Sequence, residues 1–120
     1  MYEDEIISRT ITFVKEELAG AEGGHDWWHI ERVWRNAKMI AREEGGDLLV
    51  IELGALLHDI ADAKFHNNDE NVGPQKAREF LQTLSVKKQT IEHVENIIKN
   101  ISFKGGNFQS PFYSIELAIV

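Results

Sequence analysis

The sequence predicts an all-α domain, a bundle of about six helices with the chain ending inside the last one. Apolar residues recur every three to four positions through most of the chain, as they do on the buried face of a helix. No stretch shows the strict apolar and polar alternation of a half-buried strand. The 120 residues suit one domain, which we expect to cover residues 1–120.

The first two predicted helices are separated by a glycine-rich break. Residues 3–19 carry an apolar stripe at helical spacing that begins at Ile7. Asp26 is suited to cap a second helix, which Gly45 should end. Along this helix we expect one inward stripe, formed by His29, Val33, Ala37 and Ile40.

The third helix should be the central, buried one. We expect it to begin after Asp47 and to run to about Phe65, because its apolar residues leave little polar face. The apolar stretch 48–61 is interrupted by polar residues and is shorter than the roughly 20 residues that a membrane span needs. A buried core helix is therefore predicted here, not a transmembrane one.

Three further helices are predicted in the second half of the chain. Gly73-Pro74 should open the fourth, because proline is tolerated in the first helical turn. Ser85 is a candidate cap for the fifth helix, whose inward residues begin at Ile91. Ser110-Pro111 should open a sixth helix, from Phe112 onward.

Charge and cysteine content narrow the function classes. Asp and Glu total 20 against 13 Lys and Arg, for a net charge of -7. This balance argues against broad binding to nucleic acid polymers or membranes, but not against a small anion held by a metal and lysines. The absence of cysteine excludes disulfides and thiolate chemistry, and the acidic N-terminus lacks a signal peptide's pattern. A cytoplasmic protein is expected.

A histidine and a carboxylate inside the apolar third helix are the clearest sign of chemistry. Burying His58 and Asp59 is costly unless they pair or bind a metal, and His29 on the second helix is a further ligand candidate. Mixed nitrogen and oxygen donors suit Mn, Fe, Co, Ni or Zn, and Mg less well. The alternative is a core histidine that is hydrogen-bonded to Asp59.

Three ordered motifs support the metal hypothesis. They are His-Asp-x-x-His-x-x-x-Val at 25–33, Leu-Leu-His-Asp-Ile at 56–60 and Ile-Ser-Phe-Lys at 101–104. In this order they resemble the HD superfamily of metal-dependent phosphohydrolases, in a bacterial branch that includes nucleotide pyrophosphohydrolases. The resemblance covers nearly the whole chain and implies an all-helical hydrolase of nucleotides or related small phosphate esters.

The resemblance also implies one divalent metal ion, held by His29, His58 and Asp59. Branches with two metals carry additional histidines after the His-Asp helix, where this sequence has Ile101 to Lys104. In the resembled family the chain continues past Val120, and an aspartate there supplies the final metal ligand. We therefore expect the N-terminal part of a longer domain, whose open last helix would expose apolar surface and could favour a homo-oligomer.

The implied mechanism assigns roles to further polar residues. Water activated by the metal would attack phosphorus, and Lys64 and Lys104 would steady the phosphoryl oxygens, with Lys104 contacting substrate. Each lysine could instead be a solvated surface charge. Asp62 follows Asp59 by three residues and so shares its helix face, where it would orient a ligand or activate water. Its alternative is pairing with Lys64 or Lys38.

Other residues leave two interpretations open. His25 lies four residues before His29, so a second ligand is conceivable. The resemblance instead places His25 beside the metal, where it would support a ligand or contact the substrate, and we assign it to substrate binding. The tryptophans at 27, 28 and 34 either pack in the core, which is favoured, or stack on a base. His93 is interpreted as helix surface. The rival to an enzyme is a noncatalytic helical module that senses a nucleotide or a metal.

Overall fold

The computed structural model describes residues 2–18, 27–60 and 72–103, and these residues form five α-helices. The helices are α1 (Glu3–Leu18), α2 (Trp27–Glu44), α3 (Leu48–Leu57), α4 (Val72–Thr83) and α5 (Lys88–Phe103). No strand occurs among these residues, which confirms the all-α prediction. The predicted sixth helix, from Phe112 onward, lies outside the described residues.

Helix α3 occupies the centre of the described fold, as predicted. It packs against α1, α2 and α5, and α4 packs in turn against α5. The buried core around it includes Val14 of α1, Leu81 of α4 and Ile97 of α5. Full burial of each such side chain contributes about 1.5–3 kcal/mol. The apolar sequence of α3 serves this core, and none of the described helices is long and apolar enough to cross a membrane.

Helix α3 ends earlier than predicted, so the expectation that it runs to Phe65 is wrong. Its last residue is Leu57, and His58 is its C-cap in the right-handed region, with φ -64° and ψ -20°. At the other end Asp47 caps the helix as predicted. Its carboxylate accepts hydrogen bonds from the amides of Leu49, at 3.1 Å, and Val50, at 3.4 Å. His58 therefore follows a capped, buried helix and does not lie within one.

The connection from α4 to α5 also differs from the prediction. Ser85 closes α4 and does not cap α5, because its amide donates to the carbonyl of Gln82 at 3.2 Å. The next amide, of Val86, donates to the carbonyl of Leu81 at 3.3 Å. Together these bonds form a Schellman motif, in which the residue at Ser85's position takes the left-handed conformation. Its φ of 58° agrees with this assignment.

Helix α2 faces α3 with a stripe that agrees with the prediction at Val33 and Ala37 but not at His29 and Ile40. Small residues allow the two helices to approach closely, and the buried cluster between them consists of Ala37, Ala41, Ile51 and Ala55. Ile30 of α2 is also buried, whereas Ile40 is 42% exposed. His29 is likewise exposed, so the prediction of an inward-facing side chain is wrong for His29 and Ile40. His29 lies at the edge of the helix interface.

A tryptophan side chain joins α2 to α3. The Trp34 indole donates its Nε1 hydrogen to Glu52 Oε1 at 2.9 Å, and the Lys38 ammonium lies 3.9 Å from the ring centroid. This contact accounts for a glutamate in an otherwise apolar helix. Trp27 and Trp34 pack against the core, whereas Trp28 is 68% exposed. The core interpretation therefore holds for two of the three tryptophans.

Candidate metal centre

Packing of α2 against α3 brings together three residues that are distant in sequence. His29 lies near the start of α2, and His58 and Asp59 form the turn directly after α3. Their ligand atoms all lie within 4.8 Å of one another. The two imidazole centroids are 6.1 Å apart, with the ring planes at 61°. His29 is exposed and the other two are half-buried, so the cluster opens toward solvent.

A backbone contact orients His58. Its Nδ1 lies 2.7 Å from the carbonyl oxygen of Ala55. A carbonyl oxygen can only accept, so Nδ1 carries the hydrogen and the lone pair of the neutral ring is on Nε2. Histidines that bind metals commonly donate their other ring hydrogen in this way. The alternative interpretation was a histidine that is hydrogen-bonded to Asp59. The partner of Nδ1 is instead the Ala55 carbonyl.

The early end of α3 explains why this contact forms. The last four carbonyls of a helix lack partners within the helix, and Ala55 is among them. This contact was not among the features predicted from the sequence. The signal was present, because histidine near a helix C-terminus commonly satisfies such carbonyls. Using that signal required knowing that the helix stops at Leu57.

The three side chains fit a divalent cation. Metal bonds of about 2.0–2.1 Å to nitrogen and oxygen place neighbouring ligand atoms about 3.0–3.4 Å apart. The observed separations of up to 4.8 Å therefore need only a small closure. Rotation of the exposed His29 side chain between rotamers can supply it without disturbing the core. Two imidazoles and a carboxylate suit Mn, Fe, Co, Ni or Zn.

The other predicted site residues lie outside the described residues. They are His25, Asp62, Lys64 and Lys104. Helix α3 ends at Leu57, and Asp59 lies in the turn that follows it. Helical spacing therefore no longer links Asp62 to Asp59. Lys38 was one of two lysines considered as an alternative partner of Asp62. Its ammonium group lies over the ring of Trp34.

A separate cavity of about 500 Å³ lies between α4 and α5. Its cations and anions neutralise one another. Arg78 Nε donates to Glu95 Oε2 at 3.1 Å, and this hydrogen bond raises the pKa of the Arg78 guanidinium. Lys88 Nζ lies 4.0 Å from Glu92 Oε1. Because the charges that line it are paired with one another, this cavity is a weaker candidate ligand site than the His-His-Asp cluster.

Comparison with known proteins identifies the family. The HD domain family matches residues 27–109, a range that contains all three clustered residues. YpgQ of Bacillus subtilis strain 168 is 32% identical over 106 residues, which cover 88% of this chain and 51% of YpgQ. This chain belongs to the HD domain family, which confirms the resemblance seen in its motifs.

Solved structures agree with this assignment. An HD-superfamily hydrolase from Bacillus thuringiensis is 38% identical, with a TM-score of 0.78, over 98% of this chain and 55% of that one. The crystal structure of Bacillus subtilis YpgQ in complex with ADP gives 29% identity and a TM-score of 0.77, over 99% of this chain and 56% of that one. The chain thus spans about half the length of the relatives it matches.

Proposed function

We propose that this chain carries the metal site of a phosphohydrolase that acts on nucleotides or related small phosphate esters. The observation that supports this best is the convergence of His29, His58 and Asp59, whose ligand atoms lie within 4.8 Å of one another. Membership of the HD domain family supports the reaction class, as does the similarity to a hydrolase from Bacillus thuringiensis.

A nucleotide substrate is supported by one relative. The structure of YpgQ holds ADP, and YpgQ aligns with 99% of this chain. ADP combines a base, a sugar and a phosphate chain. We extend that class of ligand, a nucleoside carrying phosphates, to this protein. Because the net charge is -7, local positive charge such as that of a bound cation would favour binding of such an anion.

In this proposal His29, His58 and Asp59 hold one divalent cation. Such an ion, when bound, neutralises charge on a phosphoryl oxygen and lowers the pKa of a water molecule. The Ala55 carbonyl keeps the His58 ring turned so that Nε2 can serve as a ligand. Further roles are proposed from the sequence alone: His25 and Lys104 in substrate binding, and Asp62 and Lys64 in catalysis.

The test is metal content and hydrolysis, measured for this chain and for one extended past Val120. Metal is quantified by mass spectrometry on protein purified without added metal or chelator. We expect close to one metal ion per chain, and hydrolysis of nucleoside triphosphates by the longer chain. His58→Ala should lose both. His93→Ala, which removes a half-buried histidine of α5 outside the cluster, is the matched control and should retain both.

Two results would change the proposal. If neither chain binds metal, His58 and Asp59 are structural and the phosphohydrolase assignment is wrong. If both chains bind metal and nucleotide but neither hydrolyses a phosphate ester, the noncatalytic sensing module replaces the enzyme.

A further inference from the structure

The outer side of α2, next to the metal cluster, carries an exposed tryptophan. Trp28 is 68% exposed, whereas Trp27 and Trp34 pack against the core. Trp28 directly precedes His29 in the first turn of α2. An indole is large and apolar, so leaving most of it in water forgoes a sizeable hydrophobic gain. A flat aromatic face is therefore available beside the cluster.

An arginine lies one helical turn further along the same side. Arg32 is exposed and forms no ion pair with any described residue. Three other arginines, Arg9, Arg35 and Arg78, are each paired with a glutamate. Arg42, in the last turn of α2, also forms no ion pair with a described residue. The guanidinium of Arg32 thus differs from most of its counterparts in the described chain, because its charge is not neutralised by a described carboxylate.

Helix geometry makes these residues one continuous surface. Residues three and four apart on a helix have Cβ atoms about 5–6 Å apart, so Arg32 neighbours both Trp28 and His29. Successive residues turn by about 100° around the axis, given 3.6 residues per turn. His29 therefore lies between the buried side of α2, marked by Ile30 and Ala37, and the exposed pair Trp28 and Arg32.

This surface has the chemistry of a nucleotide site. An aromatic face stacks on any base, and a guanidinium binds phosphate oxygens through two parallel hydrogen bonds. The adjoining cluster would hold the cation that neutralises the reacting phosphate.

We propose that Trp28 and Arg32 form the nucleotide-binding subsite of the metal centre, with Trp28 stacking on the base and Arg32 binding a phosphate. This inference rests on the proposed function. It predicts that the base adds affinity through Trp28 alone, and that Arg32 contributes to any ligand that carries phosphates.

The experiment compares two probes by titration calorimetry with Mn²⁺ present, on this chain and on one extended past Val120. ADP carries a base and tripolyphosphate does not. Trp28→Ala should weaken ADP binding by about 10-fold and leave tripolyphosphate binding within about 2-fold. Arg32→Gln should weaken both by about 10-fold or more. Metal content of both variants should equal that of the parent chain.

Matched controls lie on the same helix. Met39→Ala removes another exposed apolar side chain, 59% exposed and farther from the cluster. Arg35→Gln removes the exposed arginine that pairs with Glu31. Neither should alter binding of either probe. Unchanged ADP affinity in Trp28→Ala and Arg32→Gln would overturn the inference while leaving the hydrolase proposal intact.

The remaining outcomes separate the two proposals. If Trp28→Ala weakens ADP as expected but no form of the chain hydrolyses phosphate esters, the subsite stands and the proposed reaction falls. If Trp28→Ala leaves ADP binding unchanged and instead shifts a dimer to a monomer in sedimentation, Trp28 belongs to a protein interface and the subsite is wrong.

Discussion

His58 illustrates how one backbone contact prepares a side chain for chemistry. Its Nδ1 satisfies the Ala55 carbonyl at the end of α3, and this contact defines which ring nitrogen carries the lone pair. The same hydrogen bond restrains the ring against rotation. A free surface histidine would have to lose that rotational freedom on binding a metal.

Ser85 is a second residue whose role comes from its backbone. Its φ of 58° places it in the left-handed region, where a Cβ atom is unfavourable. Ser85→Gly should raise the free energy of unfolding by about 0.5–1 kcal/mol, because glycine adopts this conformation without that cost. Urea unfolding followed by circular dichroism measures the change.

The control for Ser85→Gly is the same substitution inside a helix. Ser8 is exposed and lies within α1. Ser8→Gly should lower the free energy of unfolding by a few tenths of a kcal/mol or more, because glycine is the poorer helix former. If Ser85→Gly lowers the free energy of unfolding as Ser8→Gly does, the left-handed conformation of Ser85 does not limit the stability of the protein.

At the scale of elements, the pairing of α2 with α3 decides the geometry of the cluster. Alanines at the interface allow close approach, and the hydrogen bond from Trp34 to Glu52 joins the two helices. His29 projects from one of these helices and His58 follows the other. Any shift between them therefore changes the separation of the histidines directly.

Trp34→Phe tests this link. It removes the indole donor and leaves the half-buried Glu52 carboxylate without it, so the free energy of unfolding should fall by about 1–2 kcal/mol. Affinity for Mn²⁺ should fall as well, because the separation of His29 and His58 is less well defined. Chemical unfolding and metal titration are the two measurements.

The matched control for Trp34→Phe is Trp28→Phe, at the exposed tryptophan of the same helix. Its stability should stay within about 0.5 kcal/mol of the parent chain, as surface substitutions usually do. Equal losses in the two variants would mean that indole size, and not the hydrogen bond to Glu52, accounts for the effect.

At the scale of the whole molecule, stability and the candidate site share α3. Seven residues of this helix are buried, and the helix packs against α1, α2 and α5. The same helix ends at the His58 turn. Damage to the core is therefore expected to reach the cluster.

Leu56→Ala tests how much this core contributes to the free energy of unfolding. Leu56 is fully buried, so its truncation should cost about 2–5 kcal/mol through lost burial and a residual cavity. Leu48, at the start of the same helix, is 49% exposed and is the control. Leu48→Ala should cost less than about 1 kcal/mol. Similar losses at both positions, measured by urea unfolding, would contradict the central placement of α3.

Metal binding should stabilise the whole fold, because the ion would join the start of α2 to the turn after α3. Mn²⁺ at 100 times its dissociation constant should add about 2.7 kcal/mol to the free energy of unfolding. His29→Ala should remove this gain while leaving the metal-free stability nearly unchanged, since His29 is exposed. Thermal unfolding with Mn²⁺ and with a chelator measures both. An equal metal effect in His29→Ala would exclude His29 as a ligand.

Much of the fold could be predicted from the sequence because the information is local. Apolar periodicity reports helices, and the apolar run at 48–57 predicted a buried third helix. Asp47 was recognisable as a cap because its chemistry acts on amides two and three residues away. His58 and Asp59 directly follow this apolar run. Burying such polar side chains costs free energy unless they are paired or bind a metal, so the local sequence alone marked them as candidate site residues.

The sequence by itself thus determined the helical class, the buried α3 and the identity of the three clustered residues. Only the tertiary structure decided the rotation of α2, which exposes His29 and Ile40, and the end of α3 at Leu57. Only it revealed that Ser85 belongs to the turn that closes α4. The physical reason is that helix propensities differ by less than about 1 kcal/mol per residue. Packing against neighbouring helices outweighs differences of that size.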